Sequence, residues 1–264
     1  MPTPRRTRAT LASVLLLTFA SPYGRANETP PPGPSGARAV ESQAPEHYRS
    51  ILSEFEAGGR AFSAAYAAAK DDAERQKVRG EKYPDAEAYA RRFVAFAGAA
   101  PDDPAAVDAL VWVARRTRQG EAHDQALRLL SGRHVGDEKI ADALPMLAYS
   151  GSAAVPDTLR TIAEKSPNRK VRGQALFALA QYHKDRDKEA EAERGFEEVA
   201  AKYADVASYS GTLGEAARAN LHEIRDLAIG KVAPEIEGED VDGKRFKLSE
   251  YRGKVVVLDF WGDW

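Results

Sequence analysis

The chain has 264 residues, 38 basic against 40 acidic, a formal net charge of −2 and no cysteine. Near-neutral charge without a basic patch interleaved with aromatics argues against a nucleic-acid partner. The lack of cysteine rules out disulfide staples, a lipid-modified cysteine and thiol chemistry by these residues alone. A chain of this length can bury a sufficient core without staples.

Residues 1–26 read as a cleavable secretory signal. Arg5, Arg6 and Arg8 precede a mostly apolar stretch, residues 11–20, and small residues follow at Ala20, Gly24 and Ala26. That stretch is about half the length a membrane span needs, so no membrane span is expected and the mature protein is placed outside the cytoplasm, in a periplasm-like space. Residues 27–45 carry Pro30, Pro31, Pro32, Pro34 and Gly33, a composition that predicts an extended, solvated linker.

Residues 46–229 read as helices almost throughout. Ala, Leu, Arg, Glu and Lys dominate, and breaks are expected at Pro84, Pro101 to Pro104, Gly120, Gly136, Pro156 and Pro167. Asp103 before Pro104, and Asn168 after Ser166 and Pro167, supply capping residues and prolines at helix starts. Ala114, Ala126 and Leu130 share a spacing with Ala180, Ala192 and Phe196, offset by 66 residues. Small residues at the first two positions let antiparallel helices approach, and a large third residue fills the gap. The pattern resembles that of tetratricopeptide (TPR) arrays, although most other consensus positions are unmatched, and an irregular helical bundle gives the same spacing. Such a domain serves as a spacer or as a docking surface for a client protein. His47, His123, His134, His183 and His222 show no metal-ligand spacing and read as ordinary helix-surface residues, so neither a metal nor another cofactor is expected.

From Gly230 the pattern changes. Two short runs, residues 235–241 and 244–248, flank Asp242-Gly243, a pair suited to the positive φ angles of a tight hairpin turn. Ser249 offers an N-cap for a short helical turn that Gly253 closes. Residues 255–260, Val-Val-Val-Leu-Asp-Phe, form an apolar run broken only by Asp259, as expected of a parallel strand covered on both faces. Trp261 and Trp264 follow.

Residues 230–264, from Gly-Lys-Val-Ala-Pro through Leu-Ser-Glu-Tyr-Arg-Gly-Lys to Asp-Phe-Trp-Gly-Asp-Trp, resemble the start of a domain of the thioredoxin superfamily, in its TlpA and AhpC/TSA (redoxin) branch. With the helical region before it, the expected fold is mainly α: a helical hairpin array, TPR-like or an irregular bundle, followed by what the resemblance implies is the N-terminal part of an incomplete α/β thioredoxin-like domain. It implies an exported thiol-disulfide oxidoreductase with a redox-homeostasis or antioxidant role, acting on a protein disulfide substrate or redox partner. Asp259 matches the buried aspartate that exchanges a proton with the resolving cysteine, with a pKa raised by burial. Trp261 and Trp264 match the tryptophans flanking the active-site dithiol. The Trp-x-x-Trp pattern favours a disulfide reductase over a peroxiredoxin-like peroxidase. In this family Cys-x-x-Cys follows directly, so the sequence stops where the first cysteine is due. A fragment, a nonsense change in the cysteine codon, and a selenocysteine codon read as termination each account for that. The alternative class is a non-enzymatic helical-repeat interaction module carrying a redoxin remnant.

Overall fold

The computed structural model describes the backbone of residues 35–208 and 210–259, and side chains from Ala44 onward. The chain divides into two units, Met1–Ser35 and Gly36–Trp264, and all that follows concerns the second. The signal segment and the start of the linker lie outside the described residues. The observed class is mainly α, a helical array followed by a short β segment, as the sequence predicts.

The array runs α1 (Ser35–Ala68), α2 (Asp72–Lys82), α3 (Ala86–Ala99), α4 (Pro104–Arg116) and α5 (Glu121–Gly132). After a 3-10 turn at Glu138–Asp142 come α6 (Leu144–Leu147), α7 (Val155–Lys165), α8 (Arg169–Lys184) and α9 (Glu189–Lys202). A two-residue hairpin, β1 (Ala207–Ser208) against β2 (Gly211–Thr212), leads into α10 (Leu213–His222) and a π turn at Glu223–Leu227. Helix α1 begins well inside the stretch expected as linker, so residues 35–45 are helical and enclose Pro45. Ala37, Arg38, Glu41 and Gln43 are good helix formers, and they outweigh the preceding proline cluster.

The local signals at helix starts act where expected. The Asp103 carboxylate accepts from the Ala105 N–H at 2.7 Å with Pro104 in the first turn, and Asn168 accepts from the amides of Lys170 and Val171. These contacts satisfy donors that a helix N-terminus otherwise leaves orphaned. Pro156 starts helix α7 instead of ending an element, because the first turn does not need its missing N–H. Thr212 and Glu215 cap α10 reciprocally: each side chain binds the other residue's backbone amide.

Two apolar cores hold the array. The first joins α1, α3, α4, α5, α6, α7 and one face of α8, through Ile51, Phe93, Leu110, Leu127, Leu144 and Ile162. The second lies between α8, α9 and α10, around Phe196, Val199, Tyr203 and Leu221. The spaced residues read from sequence, Ala114, Ala126 and Leu130, and Ala180, Ala192 and Phe196, are all buried and lie on the packed helix pairs α4–α5 and α8–α9. The α8–α9 approach is so close that a Cβ on Gly195 would lie 2.7 Å from the Ala180 Cβ. Between these two hairpins the chain forms the 3-10 turn, α6 and α7, which interrupts a regular repeat.

Candidate functional site

The C-terminal segment is built around a β-hairpin, β3 (Glu237–Glu239) against β4 (Arg245–Lys247). Its register puts Glu237 opposite Lys247 and Glu239 opposite Arg245, giving ion pairs of 2.5 and 3.5 Å on one face. On the other face the Phe246 ring covers Gly238, where a Cβ would meet it at 3.1 Å. A residue with a side chain at 238 would displace that ring.

The turn differs from the tight two-residue form expected of Asp242-Gly243. Gly243 alone adopts positive φ, at 76°, while Asp242 does not. Asp240 decides the geometry. Its carboxylate accepts from the amides of Asp242 and Lys244 at 3.0 and 2.9 Å, and its carbonyl accepts from the Gly243 N–H at 2.9 Å. The result is a three-residue loop ending in a left-handed glycine, the next commonest hairpin connection.

The short helical turn is a 3-10 element, Leu248–Tyr251, entered from Lys247, so Ser249 lies inside it and is not its cap. The Ser249 amide instead donates to Glu235 at 2.9 Å, which ties the strand entry to the turn. Hydrogen bonding by the Ser249 side chain first, and by its amide second, holds the Glu235 carboxyl below the usual carboxylate range. Gly253, at φ 82°, closes the turn as expected.

Residues 255–259 form no strand among the described residues. A strand is a property of a pair, and among the described residues no segment forms a ladder with this run. Val255 is 98% exposed and Val257 87%. Asp259 is exposed as well. The buried setting that the resemblance implies for it is therefore not formed by the described residues. Trp261 and Trp264 lie outside them. Among the described residues there is no cluster of three or more His, Asp or Glu side chains placed to hold a metal, and no helix is long and apolar enough to cross a membrane.

A stretch of 38 residues is 45% identical to thiol-disulfide oxidoreductase ResA of Geobacillus thermodenitrificans (strain NG80-2), covering 14% of this chain and 22% of that protein. It is similar to thiol-disulfide oxidoreductases. The proteins of the same name from Geobacillus kaustophilus (strain HTA426) and Bacillus subtilis (strain 168) are each 47% identical over 38 residues, covering 14% of this chain and 22% and 21% of theirs. The chain thus spans about a fifth of the length of the curated relatives it matches. No family model matches the chain, and no solved structure matches it. The similarity is local, confined to 14% of this chain.

The helical body holds polar groups that the sequence reading misplaced. His123 is fully buried, not on a helix surface. Its Nδ1 lies 3.0 Å from the Thr117 hydroxyl and its Nε2 3.1 Å from that of Ser150. Burial pushes its pKa below the ordinary histidine value, against an opposing pull from Asp124. A signal was present in the sequence: Ala122, Ala126, Leu127 and Leu130 define the apolar stripe of α5, and His123 falls within it. Nearby, the Arg186 guanidinium stacks 3.5 Å from the Tyr182 ring centre and donates to the Ser150 carbonyl at 2.6 Å. Arg186 thereby joins α8 to the loop that carries Ser150. His134 and His183 are half-buried, and only His47 and His222 match the surface reading.

Proposed function

We propose that the matched stretch includes residues 230–264, that these residues form the opening of a thioredoxin-like domain, and that the whole protein is an exported thiol-disulfide oxidoreductase. The observation that carries this is the 38-residue similarity to thiol-disulfide oxidoreductases, together with the order of hairpin, Gly253-closed turn, apolar run, Asp259 and paired tryptophans. In this reading a dithiol, or a selenol and a thiol, follows Trp264. The first chalcogen attacks a substrate disulfide and forms a mixed disulfide. The second thiol then displaces the reduced substrate, so that the enzyme pair is oxidised by two electrons as the substrate disulfide is reduced. Asp259 accepts the proton of the resolving thiol once strand pairing and covering helices bury it. An external dithiol returns the enzyme to its reduced state. The TPR-like helical body holds the client protein near this site.

The test begins with the genomic DNA after the Trp264 codon. An in-frame continuation encoding Cys-x-x-Cys, or TGA followed by x-x-Cys, supports the reading, and a selenium-insertion hairpin downstream identifies the second case. The extended protein should then reduce insulin disulfides with dithiothreitol as donor. A folded extended protein that carries both redox residues and shows no such activity would overturn the proposal.

A further inference from the structure

Every charged side chain of the π turn that ends α10 has a partner, and the partners lie on three helices. Glu223 meets Lys184 of α8 at 2.5 Å, and the same ammonium donates to Asn220 at 2.8 Å. Arg225 forks to two carboxylates of α9, Glu193 at 2.5 Å and Glu197. Asp226 lies 2.6 Å from His222 Nδ1, one turn back on α10. Ile224 anchors the same turn in the second core. A π turn is a rare form that its surroundings must hold. Exposed ion pairs are weak one at a time, and a network converging on one turn is the case in which they count.

Just beyond, the attachment ends. Ala228 to Lys231 form a single turn, closed by the Lys231 amide donating to the Ala228 carbonyl at 3.0 Å, with Gly230 at φ 89° in the position that calls for glycine. Residues 229–235 are all exposed. The C-terminal segment then bonds to itself: the Leu248 amide to the Ile236 carbonyl, the Ser249 amide to Glu235, and Lys247 to Glu237. Among the described residues no hydrogen bond or ion pair joins residues 232–258 to the helical body, and none beyond Ile224 belongs to either core. Parts that share no apolar interface move relative to each other, and the motion falls on the few residues that can absorb a change of backbone angle.

We propose that residues 223–231 are a pivot. The ion-paired π turn is its stem and fixes where the chain leaves the helical body, and the Ile229-Gly230 turn is the hinge about which the C-terminal segment swings as one piece. Under the redox reading above, the pivot lets one thioredoxin-like domain reach clients held at different places on the helical body. The pivot itself stands without that reading, and its test needs no redox activity.

Because the chain has no cysteine, cysteine pairs can be introduced and spin-labelled without removing native thiols. Double electron–electron resonance on the full 264-residue chain, diluted with unlabelled chain, reads three pairs of exposed positions: Arg128 with Leu227 for the stem, Lys244 with Arg252 for the segment, and Arg128 with Lys244 across the hinge. The first two should give narrow distance distributions, and the third should be about twice as broad. Arg225→Ala should broaden the stem pair about twofold as well, and so should Glu193→Gln combined with Glu197→Gln, which leaves Arg225 in place. None of these residues belongs to either core, and unchanged circular dichroism of each variant confirms that the body stays folded. A hinge pair as narrow as the other two would overturn the hinge, a segment pair as broad as the hinge pair would overturn motion as one piece, and a stem pair unmoved in both variants would overturn the clamp.

Discussion

The Nδ1 of His123 faces a hydroxyl whose own proton is already committed: Thr117 Oγ1 donates to the Val113 carbonyl at 2.8 Å and lies 3.0 Å from the imidazole. The Ser150 hydroxyl, 3.1 Å from Nε2, likewise donates to the Arg118 carbonyl, at 2.6 Å, so each ring nitrogen of His123 faces a hydroxyl oxygen whose proton is bonded to a backbone carbonyl.

The burial of His123 fixes the sign of a pH effect. Burial lowers the folded-state pKa of His123, whereas the unfolded chain titrates near 6.5. Above that value both states are neutral and His123 adds no pH dependence. As pH falls below about 6.5 the unfolded state takes up a proton that the fold refuses, so stability is lost until the lower folded pKa is passed. Melting temperatures at pH 8, 7, 6 and 5 should fall at the acidic end. Because His134 and His183 are shifted in the same direction, also mainly by burial, the difference between the parent chain and His123→Gln isolates this residue. A difference that stays constant across the series contradicts the assignment.

The contact between Gly195 and Ala180 predicts a steep size limit. With only 2.7 Å between a Cβ at 195 and that of Ala180, a larger residue must push α8 and α9 apart. Gly195→Val should lose about 1–3 kcal/mol in urea unfolding, as overpacked cores do. Helix propensity alone would make the substitution neutral or mildly stabilising, since glycine is the poorer helix former, so the sign of the change separates the two effects.

How far these relationships could be read from the sequence depended on range. The caps at Asp103 and Asn168 were legible because donor and acceptor lie within three residues of each other. The small-residue approach of α8 and α9 was legible because both helices belong to one hairpin. The burial of His123 was legible in the apolar stripe of α5, but its contact with Ser150, 27 positions away, was not. The hairpin turn was misread because Asp240, outside the Asp-Gly pair, sets the backbone there. Residues 255–259 show the converse: an apolar run states what a segment would pair as, but pairing requires a partner.

Arg186 offers a third prediction. It stacks on Tyr182 and holds the Ser150 carbonyl at 2.6 Å, joining α8 to the loop between α6 and α7. Arg186→Ala should cost about 2 kcal/mol, from the lost cation–π contact and the hydrogen bond it leaves unmade. Arg186→Lys should recover only part of this, because an ammonium cannot stack flat and fork toward the carbonyl together. Hydrogen exchange should show the loss first at Ser150 and Gly151. Full recovery in the lysine variant would mean that only charge matters at this position.

The exposed run before Asp259 makes the last prediction. Val255, Val256, Val257 and Leu258 are 98%, 41%, 87% and 49% exposed, which gives a β-prone, uncharged segment with no ladder partner among the described residues. The 264-residue chain should therefore self-associate as concentration rises, with sedimentation velocity showing species larger than the monomer and with enhanced ANS fluorescence. Replacing Val255 and Val257 by lysine puts charge into a segment that would otherwise template pairing. That double variant should remain monomeric, and its melting should be unchanged because neither side chain belongs to either core. Equal association of the two chains would assign it to another surface. In the longer protein proposed above, the same substitutions should have the opposite consequence: they would place charges in the covered central strand and destabilise the thioredoxin-like domain.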